Sequence, residues 1–357
     1  MAKDVQVFTA NDKSLKEWIA LNLSFIFDKS QLEIASHINQ EDVKVFNKYF
    51  FSVEDSFLEK WFRAGAQRCL NQMSFKNKWL VTGCLKRLRN SFHKKPLFPS
   101  QCAGTKVILD IAKRANASIR PWGGKKSAVC ITHDVDTPEC YDFIPALVKI
   151  EKQYNIRSTF NFLTEGGYKI DKPLLLSLTS NDFEIGLHGT THNAAFGYLE
   201  QGKIEEAIAR AVKAGGFNAF GFRSPALSIS PNLLRALAKC GARYDSTVSL
   251  FYKGWGSCFP YLFPGLGVWE LPLCLQDDVL FRDMNLDQEE AFKLVVKCIN
   301  DVKQIGGVCM LNFHPIIVKN HLGFYEKLMG YLIKQTDLWI GKGGDLIALM
   351  EERLPEK

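Results

Sequence analysis

Ala128 to Asp136, Ala-Val-Cys-Ile-Thr-His-Asp-Val-Asp, is an apolar β-prone run that delivers two carboxylates at its exit. Asp134 and Asp136 alternate along an extended chain, so both project to the same side, whereas His133 between the flanking residues points away toward the core. Two acids on one side at a strand mouth are costly unless a cation, usually a metal, sits between them. Three of the remaining six histidines fall at or just beyond other strand-like runs: His188, His192 and His314. In His188-Gly-Thr-Thr-His192 the two imidazoles share a face if the turn is helical. With a carboxylate from elsewhere, such a pair is a nitrogen–oxygen ligand set for zinc or a similar divalent ion. No Glu follows His188, which excludes the His-Glu-x-x-His metalloprotease pattern. Arg223-Ser-Pro225 alone is a turn with a surface arginine; at a strand mouth facing Asp134, the same arginine keeps that carboxylate ionised and oriented. In Leu311-Asn-Phe-His314-Pro315 the proline ends the strand and leaves His314 at the mouth.

From about residue 126 the chain alternates short strands with helices. Strand-like runs lie at 128–132, 158–163, 183–187, 219–222, 268–273, 308–313 and 338–340, with helical stretches at 144–154, 173–178, 204–214, 231–239, 288–305 and 323–334. About seven strand–helix units predict an α/β fold, a distorted or incomplete (β/α)7-type barrel with its functional groups at the C-terminal strand ends. The preceding residues predict a mixed, mainly helical extension, with a short strand at 23–27 and helices at 43–51, 56–70 and 75–92. The Arg120-Pro121-Trp122-Gly123-Gly124 punctuation divides the chain into 1–122 and 123–357.

The 357 residues are 46% hydrophobic, enough for a large core. The N-terminus carries no apolar stretch behind a basic start, and no run is long enough to span a bilayer, so a cytoplasmic location is expected. The ten cysteines form no Cys-x-x-Cys pair and suit buried reduced thiols. Charge is uneven: between Glu59 and Asp110 there are eleven Lys and Arg and no acid. The chain's net +7 therefore leaves about −4 for everything else. Within this stretch Val81, Cys84, Leu85, Leu88 and Phe92 fall at helical spacing with Lys86, Arg87 and Arg89 between them. A basic amphipathic helix of this kind is either a solvated face or, more sharply, a dock in segment 60–106 for anionic lipid or phosphate. No nucleic acid is expected as a partner.

Together the motifs resemble the polysaccharide deacetylase (NodB-homology, carbohydrate esterase family 4-like) family over roughly Lys126 to Leu349. Thr132-His-Asp-Val-Asp136 is similar to its first motif, Ser158-Thr-Phe160 to its second-strand signature, His188-Gly-Thr-Thr-His192 to its second motif, Arg223-Ser-Pro225 to its third and Leu311-Asn-Phe-His314 to its fifth, in the family's order. The usual first motif has adjacent aspartates; here Val135 intervenes, a form found in a branch with deformylase-like and peptidoglycan-type members. The resemblance implies that Asp134 is a general base oriented by Arg223, that Asp136, His188 and His192 bind one divalent ion with zinc the first choice, and that His314 is the general acid. Asp245, Asp277 and Asp278 are alternative partners for His314. Ala226, where many relatives have an aromatic, would offer its backbone N–H to an oxyanion. Trp255, with Phe259, Tyr261 and Phe263, would stack on sugar or form a hydrophobic lid. The implied reaction is hydrolysis of an N-acetyl group from an amino sugar, in a cytoplasmic precursor of surface polysaccharide, at most peripheral to the inner face of the membrane. Alternatives are a deformylase or cyclic-amide hydrolase on the same fold, or an inactive glycan-binding or scaffold protein.

Overall fold

The computed structural model describes residues 12–48, 98–217, 220–250, 256–263 and 265–353. The expected helices at 56–70 and 75–92, the part 60–97 of the basic segment 60–106, and Trp255 lie outside them. Among the described residues ten strands make one curled, mostly parallel sheet, in the order β6-β7-β5-β4-β3-β2-β1-β9-β8, with β10 also on β1. They are β1 (Ser127–Val135), β2 (Thr159–Phe162), β3 (Glu184–Leu187), β4 (Phe220–Phe222), β5 (Ala242–Asp245), β6 (Tyr261–Leu262), β7 (Trp269–Glu270), β8 (Leu273–Gln276), β9 (Val308–Asn312) and β10 (Leu338–Gly341). Only β6 runs antiparallel to its neighbour. The result is the expected distorted barrel with an N-terminal helical region. A bridge between Ser249 and Leu273 draws its two flanks together.

β1 is the axis of the sheet. It is buried along its whole length, and it has three parallel partners: β9 on one side, and on the other β10 along its first half and β2 along its second. A strand covered on both faces needs a near-continuous apolar run, which 128–131 supplies. Helices cover the outside, including α5 (Pro138–Gln153) after β1, α8 (Pro231–Lys239), α9 (Gln288–Ile305) before β9, and α10 (Pro315–Asn320) and α11 (Leu322–Leu332) after it; α12 (Gly343–Glu351) follows β10. Caps fit the sequence: Thr137 Oγ1 accepts from Cys140 N at 3.3 Å to start α5, and Asp287 with Glu290 forms a capping box on α9. The eight described cysteines form no disulfide, and seven are buried.

Ahead of the barrel stand α1 (Asp12–Ile26), α2 (Gln31–Ser36), α3 (Gln40–Phe46) and α4 (Ala103–Arg114). The expected strand at 23–27 is instead the end of α1, with Phe27 in a single bridge to Ile119. Leu23, Phe25, Ile26 and Phe27 are all buried, so an apolar run that reads as a strand is the tail of a helix buried on most sides. α1 is tied to the barrel by Trp18 Nε1 donating to Leu262 O at 3.0 Å and Leu262 N donating to Asn22 Oδ1 at 2.6 Å. One apolar core runs without interruption from α1 through the sheet to α12. Phe259, Tyr261 and Phe263 belong to it, each at most 3% exposed. They are core packing groups, Tyr261 meeting Trp18 of α1 edge to face and Phe263 in turn, rather than sugar-stacking faces. The expected strand at 268–273 is split by Pro272 into β7 and β8, because proline supplies no ladder donor.

Candidate metal centre and active site

Asp136 sits one residue beyond β1, His188 one beyond β3, and His192 in the loop that follows. The loop is not helical: Gly189 takes φ +97° and turns the chain so that both imidazoles reach the same point. One donor atom from each of Asp136, His188 and His192 lies within 4.8 Å of the others, a possible three-residue metal site. His188 Nε2 is 3.2 Å from Asp136 Oδ1, and His192 Nε2 is 3.4 Å from Oδ2. Asp136 Oδ1 is buried and has no well-formed hydrogen bond among the described residues. His188 Nδ1 is 2.8 Å from the Arg223 carbonyl oxygen. A carbonyl only accepts, so Nδ1 carries the proton and Nε2 turns a lone pair to the site. Burial lowers the pKa of His192, favouring the neutral ring that a ligand must be; at His188 burial acts in the same direction, but the Asp134 and Asp136 carboxylates outweigh it and raise the pKa. This donor set fits a divalent ion, with two nitrogens, one carboxylate and room for further ligands.

Asp134, 3% exposed, is held from three directions. Oδ1 accepts from Asn161 Nδ2 at 2.8 Å and from Arg223 Nη1 at 3.1 Å, and Oδ2 accepts from Asn312 Nδ2 at 2.8 Å. Burial alone would raise its carboxyl, but Arg223, His188, His314 and the Asn161 bond outweigh it and hold the group well below the usual carboxylate range. Arg223, fully buried, spends its other donors on Ser246 O, Ser246 Oγ and Thr132 Oγ1 at 2.9, 2.8 and 2.6 Å. It is an interior strut, not a surface arginine.

His314 lies just past β9, with Nε2 3.6 Å from Asp136 Oδ2. Its partner is Asp277, just past β8: Oδ1 is 2.6 Å from Nδ1, and Oδ2 accepts the backbone N–H of His314 at 2.7 Å. Burial favours a neutral imidazole, yet Asp277 beside it, then Asp136 and Asp278, push its pKa well above the ordinary value. Asp278 is engaged by Arg282 at 2.5 Å. Asp245 is on the far side of Arg223, in register with Glu270 across β5 and β7. Both acids are fully buried, and burial raises both. Ala226 lies on an exposed turn after Arg223, where it and Leu227 take φ +53° and +54°. Two successive side chains in the left-handed region cost about 1 kcal/mol or more each, strain of the kind that gathers at functional loops. Asn161 and Asn312 belong to the site and lie in none of the motifs' chemistry-bearing positions; the signal for them was a lone amide inside each of two buried strands, Thr159-Phe-Asn-Phe162 and Val308-Cys-Met-Leu-Asn312.

On the other face of β1, His133 is fully buried. Its Nδ1 is 2.6 Å from Phe313 O and its Nε2 2.7 Å from Glu151 Oε1. Glu151 also accepts from Ser158 Oγ at 2.6 Å and Tyr325 OH at 2.5 Å.

A family model described as WbmS-like, polysaccharide deacetylase, matches residues 131–329, more than half of the chain. No curated protein matches. Among solved structures, a protein described as a polysaccharide deacetylase from Mycobacterium smegmatis is 20% identical with a TM-score of 0.57, over 66% of this chain and 93% of its own. A second so described, from Pseudomonas aeruginosa PAO1, is 15% identical with a TM-score of 0.56, over 66% and 94%. The PuuE allantoinase is 13% identical with a TM-score of 0.55, over 65% and 93%. At these identities the likeness is one of fold.

Proposed function

The chain belongs to the WbmS-like polysaccharide deacetylase family, and from that premise we propose that it is a metal-dependent amide hydrolase that removes an N-acetyl group from an amino sugar. The observation that carries this reading is the convergence of Asp136, His188 and His192 on one point, with His314 Nε2 3.6 Å from Asp136 Oδ2 and Asp134 two residues before Asp136 at the same strand end. A divalent ion held by these three residues, zinc by preference for such ligands, would act as a Lewis acid on the acyl oxygen and on the attacking water. Asp134, ionised and fixed, takes the proton of that water as its oxygen bonds to the acyl carbon. His314, held protonated by Asp277, gives a proton to the departing nitrogen as the C–N bond breaks and the electron pair moves to it. The products are acetate and a free amino group.

The substrate class proposed is a nucleotide- or lipid-linked amino sugar, a cytoplasmic precursor of surface polysaccharide. Carrier phosphates of either kind would suit the basic segment 60–106. The reading is tested by incubating the zinc-loaded protein with a panel of such N-acetylated sugars and measuring acetate. Formate from N-formyl sugars, or ring opening of a cyclic amide, would move the assignment to another amide on the same site. No zinc uptake and no turnover would make the protein a binding module instead. Reversing the charges of Lys86, Arg87 and Arg89 lowers turnover of phosphate-bearing substrates if the segment meets the carrier, and leaves it unchanged if it is a solvated face.

A further inference from the structure

We propose that Asn161 and Asn312 are positioning residues that, together with Arg223, fill three of the four acceptor directions of the Asp134 carboxylate and leave one, on Oδ2, to receive the proton. The inference rests on the reading of Asp134 as the base. A carboxylate offers about two acceptor directions on each oxygen. Asn161 and Arg223 take both on Oδ1, and Asn312 takes one on Oδ2. The amide orientations follow from chemistry: an ionised carboxylate can only accept, so each asparagine turns its NH2 toward it. Asn312 Oδ1 then faces Thr132 Oγ1 at 3.2 Å, and Thr132 Oγ1 accepts from Arg223 Nη1. Arg223, Thr132, Asn312 and Asp134 thereby close a ring, in which the one hydroxyl proton of Thr132 is shared between Asn312 Oδ1 and the Leu311 carbonyl oxygen at 2.9 Å.

The ring is built on rigid elements. Asn161 is the register partner of Asp134 across β1 and β2, and Asn312 that of Thr132 across β1 and β9. β3 makes room for it, since a Cβ on Gly186 would collide with Asn161 Oδ1. A base clamped on three sides is aimed, because rotating the carboxylate to present Oδ1 would break two hydrogen bonds, one of them to a guanidinium. In the reaction, the O–H bond that breaks in water is replaced by one on Oδ2, while Oδ1 keeps its donors and needs no rearrangement.

The test uses full-length, zinc-loaded Asn161→Ala and Asn312→Ala, with the serine variants in reserve should either alanine variant not fold. Measured are kcat, KM, the solvent deuterium isotope effect, zinc affinity and the crystal structure around Asp134. The expected result is a kcat lower by about 10- to 100-fold with KM and zinc affinity unchanged, a larger isotope effect, and an Asp134 carboxylate rotated from its present plane. An unchanged kcat overturns the proposal, and so does a loss that follows zinc affinity or melting temperature alone, since that is what a purely structural amide predicts. If the unaltered protein hydrolyses no amide on the panel, the reading of the reaction fails separately. In that case the crystal structures decide, and an unmoved Asp134 in both variants overturns the cradle.

Discussion

His133 and Asp134 are neighbours in one strand, yet they anchor polar clusters of opposite character. Inside, His133, Glu151, Ser158 and Tyr325 satisfy one another completely: both ring nitrogens face oxygens and both oxygens of Glu151 accept. At the mouth, among the described residues, Asp134 keeps one acceptor direction open and Asp136 Oδ1 is buried without a well-formed hydrogen bond. The period of two along β1 sends alternate residues to these two places. The difference teaches that buried polarity by itself does not mark an active site. A closed network fixes a core; an incomplete one, supported by strained turns and fixed donors, waits for a ligand.

The contrast can be broken most forcefully at the metal. Asp136→Ala should reduce turnover to background and abolish the rise in melting temperature that zinc gives the unaltered protein, read by scanning calorimetry with and without a chelator. Next in size, Asp134→Asn should lower kcat by about 10²- to 10⁴-fold while zinc still raises the melting temperature; loss of both would make Asp134 a ligand. The inner cluster should respond in the opposite way. Glu151→Ala strands His133, Ser158 and Tyr325, and denaturant titration should find it less stable by about 3–5 kcal/mol, with the kcat of the folded fraction within a few-fold of normal. A collapse of kcat at full stability would erase the distinction. The smallest effect is expected behind Arg223. Burial raises the Asp245 carboxyl from 3.8 to about 6, so the folded state prefers it protonated. Its penalty is absent below the ordinary value, grows as pH rises through that window, and is complete above it. Asp245→Asn should therefore melt higher than the unaltered protein at neutral pH and no higher near pH 4.

Much of this division was legible beforehand, and the exceptions have physical causes. Apolar runs bounded by turn residues located β1, β2, β3, β9 and β10, and the motif order implied the residues that meet at the mouth. Alternation along β1 was enough to turn His133 away from Asp134. β5 was missed because Ala242-Arg-Tyr-Asp245 is short and half polar, its buried Tyr244 and Asp245 facing opposite sides of the sheet and meeting Glu184 and Glu270 rather than an apolar layer. The choice of Asp277 over Asp245 and Asp278 needed the split at Pro272, which restarts the chain as β8 and carries Asp277 to the mouth beside His314. Asn161 and Asn312 stayed hidden because an amide has no signature of its own. Its meaning comes from what stands across the sheet.

The triple pairing of β1 also sets an order of events during synthesis. Its partners β9 and β10 begin at Val308 and Leu338, so all of 136–307 must emerge from the ribosome before the central strand has a neighbour on both sides. Until then its edge is an unpaired template, apolar over 128–131, of the sort that recruits other chains. Contacts of such sequence separation close slowly. The candidate site, shared between β1, β3, β8 and β9, is complete only with the last of these strands, and a chain released before residue 308 carries the aggregation hazard without it.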